Sequence, residues 1–273
     1  MIVNLGLVRR SLRELIPVSL GFGMFTGTVV GLLSYALPQV QARFMRRGFI
    51  PPQVRQLRNA LFGVDTSDAG IAEVAFSMVW IHPVLIILLF AHAILVCTRI
   101  PAGEIERGTV DVLLAMPVSR WKLFRSETAA WLMTAALVLG LAFLGCYVGT
   151  RFVTPDQLPD FGRLAMNLVN LGLVYGAVGC AALAIAAGVD RRMRAVMGVL
   201  VVTIGTLMVN FLEPLWEPAK HAAPLSLLHY YKPFAVIKTG EWQVKDLAIL
   251  AGVCATLWVT AGVIFSRRDI TTT

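Results

Sequence analysis

Charged side chains withdraw from six long stretches of this chain. No Asp, Glu, Lys or Arg stands between Glu14 and Arg43, Glu73 and Arg99, Glu127 and Arg151, Arg163 and Asp190, Arg194 and Glu213, or Asp246 and Arg267. A helix needs about 20 apolar residues to cross the hydrocarbon core of a bilayer, with a workable range of about 17 to 25. Five of the gaps hold 20 or more residues, and the gap from Ala195 to Leu212 holds 18. A soluble bundle would need a polar face on most of its helices, and these stretches have none. Helices satisfy their own backbone hydrogen bonds in lipid. The pattern therefore predicts an all-α integral membrane protein with six transmembrane helices. The apolar stretch Leu15–Leu37 follows Arg9, Arg10 and Arg13 and is longer than the core of a signal peptide, so it reads as a retained span.

Small residues run in stripes inside the predicted spans. Gly23, Gly27 and Gly31 repeat every four residues, as do Gly172, Gly176, Cys180 and Ala184, and Gly145 and Gly149 form a further pair. Such stripes let helix backbones approach closely in lipid. They serve packing inside one chain or contact between two chains, and spacing alone leaves both open. Ahead of the first span, Leu5, Val8 and Leu12 share a helical face with arginines elsewhere, a pattern suited to a helix lying in the membrane interface. Between spans one and two, Pro51-Pro52 precedes a helical pattern at Val54, Leu57, Leu61 and Phe62 that ends at Gly63. The segment 213–246 holds four prolines, which stop regular helix, and Trp216, Tyr230, Tyr231 and Trp242, which fit an interfacial belt.

Composition agrees with the pattern. Of 273 residues, 57% are apolar and 15% charged, against about 25% charged in a soluble domain. The net charge of +8 is accounted for by loops beside anionic headgroups, with no need for nucleic acid. Cys97, Cys146, Cys180 and Cys254 fall in or at the edge of spans without paired spacing, so they make neither a metal motif nor a disulfide framework. With both termini cytoplasmic, the cytoplasmic segments carry thirteen Lys and Arg and the two shorter external loops carry six. The positive-inside rule favours that orientation. Arg43, Arg46, Arg47, Arg55 and Arg58 in the external 37–78 segment pull the other way. The tight Asp190-Arg191-Arg192-Met193-Arg194 connection, hard to translocate, decides for it. No repeat or soluble domain interrupts residues 1–273, which read as a single transmembrane domain.

Candidate chemistry is sparse. The phosphate-binding GxxxxGK[ST] loop, the HExxH zinc helix and the GxSxG elbow are all missing from the sequence, so no enzymatic motif, metal site or cofactor site is expected. His82 and His92 read as packed or interfacial residues at span two. Asn167, Asn170 and Asn210 either line a pathway or hydrogen-bond between helices. Spans without charge argue against ion coupling and for an energy source outside the chain. The densest polar segment is RIPAGEIERGTVDVLLAMPVSRWKLFRSE, residues 99–127. There Thr109 can cap a short helix, Asp111 complements its dipole, Val110, Leu113 and Leu114 make one apolar face, Pro117 stops it, and Ser119 caps the third span. The segment predicts a short, stiff cytoplasmic helix able to pass force from a soluble partner to the spans.

GEIERGTVDVLLAMPVSR resembles the signature of permease subunits of ATP-binding-cassette exporters of the type-2 export family. The resembling residues are Glu104 and Glu106, Gly108 and Thr109, Leu113 to Ala115, and Pro117 to Arg120. Ile50-Pro51-Pro52 with Leu61-Phe62-Gly63, and Phe265-Ser-Arg-Arg-Asp269, are similar to the family at matching places. Ile105 departs from it, standing where relatives often carry a third acid. The resemblance implies a permease in the cell (inner) membrane. It implies a separate ATPase subunit docking on a coupling helix through Glu104, Glu106, Arg107, Gly108, Thr109, Pro117 and Arg120, and a second permease copy or paralogue. The alternative readings are a non-transporting membrane enzyme or scaffold, and a relative serving assembly or immunity. The cargo is not written in the sequence.

Overall fold

The structure, a computed structural model, describes residues 3–46, 59, 69–106, 108, 118–214 and 216–268. Six helical segments in it are long and apolar enough to cross a membrane: Leu5–Arg43, Ile71–Cys97, Arg120–Thr150, Pro155–Gly188, Arg192–Leu212 and Val244–Arg267. Each contains one of the charge-free gaps, and an all-α membrane protein is the result. The residues that carry the first-loop pattern, Val54, Leu57, Leu61 and Phe62, and the segment 109–117 lie outside the described residues.

Helix α1, Leu5–Arg46, has 42 residues and at 1.5 Å per residue is about 63 Å long, twice the hydrocarbon thickness. Leu5, Val8 and Leu12, whose pattern suits a helix in the membrane interface, form the first turns of α1, continuous with the span: Val8 is in the core, Leu12 packs against it and Leu5 is exposed. The second span is α2 (Ile71–Ile81) and α3 (Pro83–Cys97). Pro83 lacks the N–H that would continue the helix and pushes His82 into extended geometry, φ −57° and ψ 128°. The amide of Val84 then donates to His82 Nδ1 at 3.3 Å, so Trp80 O is left for another donor. Tyr231 supplies it, its hydroxyl donating to Trp80 O at 3.1 Å while accepting from Asn167 Nδ2 at 3.2 Å. Burial pushes the Tyr231 phenol up from its ordinary pKa, which keeps the proton that this bond needs.

Spans three to six are α4 (Arg120–Thr150), α5 (Phe161–Gly188), α6 (Arg192–Leu212) and α9 (Val244–Arg267). Between α6 and α9 lie α7 (Glu217–Ala222) and α8 (Pro233–Thr239). Pro214 follows the end of α6, whereas Pro218 and Pro233 occupy the first turns of α7 and α8, where the missing N–H costs nothing. Of the aromatics expected at the surface, Trp216 and Trp242 are exposed but Tyr231 is buried.

Helix α1 runs along α4, and the glycines explain the contact. A Cβ on Gly27 would stand 2.7 Å from Leu141 O, and one on Gly31 would stand 2.9 Å from Gly145 O. The two glycine rows therefore face each other inside one chain. In the α5 stripe, Gly172 faces Leu139 of α4 and Gly176 faces Cys254 of α9, each at 3.5 Å from an added Cβ. Helix α5 is the central element, with 61% of its apolar window buried against 22% for α6 and 17% for α9. Both flanking helices present apolar surface outward, as lipid requires.

A buried polar node ties four helices. Trp131 Nε1 donates to Tyr175 Oη at 2.8 Å, and Tyr175 Oη lies 2.8 Å from His92 Nδ1. His92 Nε2 lies 2.9 Å from Ser19 Oγ. Tyr175 accepts the indole proton and still has a proton and a second lone pair, so it can bond Nδ1 in either ring tautomer while Nε2 bonds Ser19. The four partners come from α4, α5, α3 and α1. Of the two readings of His92, packed or interfacial, the structure gives the packed one: it is a fully buried bolt inside span two.

Candidate functional site

The polar segment after span two meets the ends of the other spans at one end of the molecule. Arg99 opens it with a π-helical turn, Arg99–Gly103, in which Ile100 is non-helical at φ −125° and ψ 130°. The Arg99 guanidinium reaches two carboxylates: Glu14 of α1, and Glu127 of α4 at 3.1 Å. Ser11 donates to Glu127 as well, and Arg10 pairs with Glu14 at 3.4 Å. The side chains of Arg99 and Glu127 are only 11% and 12% exposed. Two charges so far from water are tolerable only as a pair with further hydrogen bonds. This cluster joins spans one, two and three where the polar segment leaves the bundle.

Downstream, Glu104 is buried at 3% exposure. Glu106 is exposed, but its Oε2 accepts from the backbone amide of Arg192 at 2.9 Å. A carboxylate there satisfies one orphan donor and complements the dipole at the start of α6. The Arg192 guanidinium donates in turn to Leu95 O at 2.8 Å, near the end of α3. Gly103 leaves room for it, since a Cβ there would meet Arg192 Cδ at 3.3 Å. Gly108 has φ +68°, a left-handed conformation that side chains disfavour. Ser119 caps α4, accepting from Lys122 N at 3.3 Å, as the sequence predicts.

The last turn of α9 closes the same surface. Arg120 donates to the Arg268 carbonyl. Arg268 donates to Ala187 O and Val189 O, each at 3.0 Å, and pairs with Asp190. It thus satisfies free carbonyls at the end of α5. Leu5 and Arg267 therefore begin and end the six-span path at the same end of the bundle.

Of the residues singled out in the sequence, the structure gathers Glu104, Glu106, Gly108 and Arg120 at this end. Arg107, Thr109 and Pro117 lie outside the described residues. Sequence reasoning passed over Glu14, Arg99 and Glu127, which served only to mark the borders of apolar stretches. A signal was present: two acids stand at span ends otherwise rich in arginine, and an acid at that depth needs a cation. Among the described residues no group of His, Cys, Asp and Glu could hold a metal ion.

No curated protein matches the chain. The family model of the ABC-2 family transporter protein matches residues 28–270, covering five of the six spans entirely, the later part of the first, and the whole polar segment after span two. A multi-pass helical bundle with this match along nearly all its length belongs to the ABC-2 transporter family.

Proposed function

We propose that the chain is the permease subunit of an exporter, driven by ATP that a separate ATPase subunit hydrolyses. The observation that carries the reading is the family match over residues 28–270. The geometry of the polar end supports it: one short segment contacts the starts or ends of spans one, two, three and five. Residues 1–273 contain no phosphate-binding loop, which supports placing ATP hydrolysis outside them. The ATPase docks on the end formed by Glu104, Glu106, Arg107, Gly108, Thr109, Pro117 and Arg120. Glu104 acts there from inside the bundle, shaping the segment rather than touching the partner. Glu106 acts as the link from that segment to the start of α6. Residues 1–273 form one domain, which pairs with a second copy or a paralogue in the cell (inner) membrane, with both termini cytoplasmic. ATP binding draws the docked subunits together, and the conformation they bind better becomes the populated one.

Affinity purification from the native membrane tests this. The permease should bring with it a soluble subunit carrying a phosphate-binding loop, and ATP turnover should follow that subunit. Turnover by the chain alone, in a preparation free of other ATPases, would refute the proposal.

A further inference from the structure

At the end of the bundle opposite the polar segment, a cavity of about 370 Å³ opens between α1, the kink of the second span, α6 and the loop before α8. This volume lies within the roughly 300–1,000 Å³ of small-molecule sites. Its wall is mostly apolar, with Leu37, Ile86, Leu207 and Phe211 from three spans. Three polar groups interrupt it: His82, Asn210 and Tyr231. His82 Nδ1 is taken by the Val84 amide, so the neutral ring offers its proton from Nε2. Tyr231 already donates to Trp80 and accepts from Asn167, which leaves an acceptor lone pair. The Asn210 amide has no hydrogen bond among the described residues, so both its donors and its acceptor are available.

Among the described residues the wall contains no Lys, Arg, Asp or Glu. The nearest carboxylate in sequence, Glu213, is engaged by His229 at 3.0 Å. Lys232 is held by Asp246 at 2.8 Å. An anion or cation entering this cavity would lose its hydration without gaining a counter-ion. A neutral head with a hydroxyl or carbonyl would lose little and could bond Asn210 and His82, while an apolar body filled the rest.

A larger groove of about 740 Å³ lies along the α1–α4 seam. Its few polar side chains include Thr28, whose hydroxyl is spent on Met24 O at 2.8 Å. That groove is an open, largely apolar surface, where Tyr35 adds a hydroxyl but no set of polar groups converges as at the kink.

We infer that the cavity at the His82–Pro83 kink binds an uncharged amphiphile, its hydroxyl or carbonyl head on Asn210 and His82 and its apolar body against Ile86, Leu207 and Phe211. As a binding site it stands by itself; as a cargo site it rests on the exporter reading. The test uses the full-length chain in nanodiscs without any ATPase, so its outcome is independent of whether an ATPase docks. The probe is a 12-carbon alcohol bearing a diazirine, with the matching sulfonate as the anionic comparison. Adducts are mapped by mass spectrometry. The alcohol should label cavity residues and be displaced by n-dodecanol, and the sulfonate should label them at least tenfold less. N210L should weaken displacement about tenfold, the loss expected for one hydrogen bond in a dry site. L207W, which fills the cavity, should abolish cavity adducts. Thermal melting identifies either variant that has lost its fold, and the alcohol-to-sulfonate ratio on the unaltered chain needs neither. Equal cavity labelling by alcohol and sulfonate overturns the inference. So do adducts spread over the outward faces of α6 and α9 that n-dodecanol does not displace.

Discussion

Replacing Arg99 with methionine should be among the most damaging single changes in the molecule. The guanidinium is 11% exposed and pairs with Glu127, itself 12% exposed, at 3.1 Å. Removing the cation leaves the Glu127 carboxylate buried with the Ser11 hydroxyl and only the more distant charge of Arg10. Breaking a buried pair in this way costs about 3–5 kcal/mol. The second carboxylate, Glu14, is 44% exposed and can turn to water, so its share is that of a surface pair, about 0–1 kcal/mol. For a chain of this size, about 2–4 °C accompany each kcal/mol, so Tm should fall by on the order of 10 °C. The assay is built into the protein. Cys97, Cys146 and Cys180 are free and buried, so a thiol-reactive fluorogenic dye reports unfolding in detergent. Pairing Arg99→Met with Glu127→Leu removes both charges, and most of the loss should return, because an apolar pair of similar volume is often neutral or better. Two results would sink the reasoning: Arg99→Met within about 0.5 kcal/mol of the unaltered protein, or a double variant as unstable as the single one.

Three further outcomes are expected, the first two in the same dye assay. Gly145→Ala drives a Cβ into the Gly27 carbonyl and should cost about 1–3 kcal/mol, whereas Gly140→Ala, with nothing within 4 Å, should be neutral or stabilising through helix propensity; equal effects would refute the glycine-seam account. Tyr175→Phe deletes the hydroxyl that links Trp131 to His92 and should cost about 1–3 kcal/mol for each polar group left unpaired; an unchanged Tm would mean the node is not a bolt. Gly108→Val forces a branched residue into φ +68° and should cost about 1–2 kcal/mol locally, seen as weaker capture of the ATPase, with Gly108→Asn milder because asparagine tolerates that region; equal capture by both would discount the turn.

The spans were legible because a bilayer demands long uninterrupted apolar stretches, and all six reappear as helices. The glycine rows were legible as contacts but not as to partner, since Gly27 and Gly145 meet across more than a hundred residues. The pattern at Leu5, Val8 and Leu12 did not show that α1 runs unbroken from these residues into the span, because an amphipathic face looks the same whether its helix stops or continues. Prolines 218, 224 and 233 read as breakers because sequence does not say which side of a proline the helix occupies. The ion cluster escaped because Glu14, Arg99 and Glu127 each look ordinary alone and acquire meaning only when three chain ends converge. Glu106 shows the converse. Its acidity was read as a docking surface, and the structure adds that the carboxylate caps α6, a contact made across 86 residues that no local pattern announces.

The most direct test of that account measures whether ATP on a partner moves the far end of this chain. Spin labels are placed on Phe152 and Leu225, both well exposed at the end opposite the polar segment, in a background without native cysteines. Distances are recorded in nanodiscs for the chain alone and for its complex with the ATPase, with and without ATP and magnesium. The account predicts a shifted distance distribution in the ATP-bound complex and no change when ATP is added to the chain alone. The same distribution in all states, from a complex that hydrolyses ATP, would contradict it.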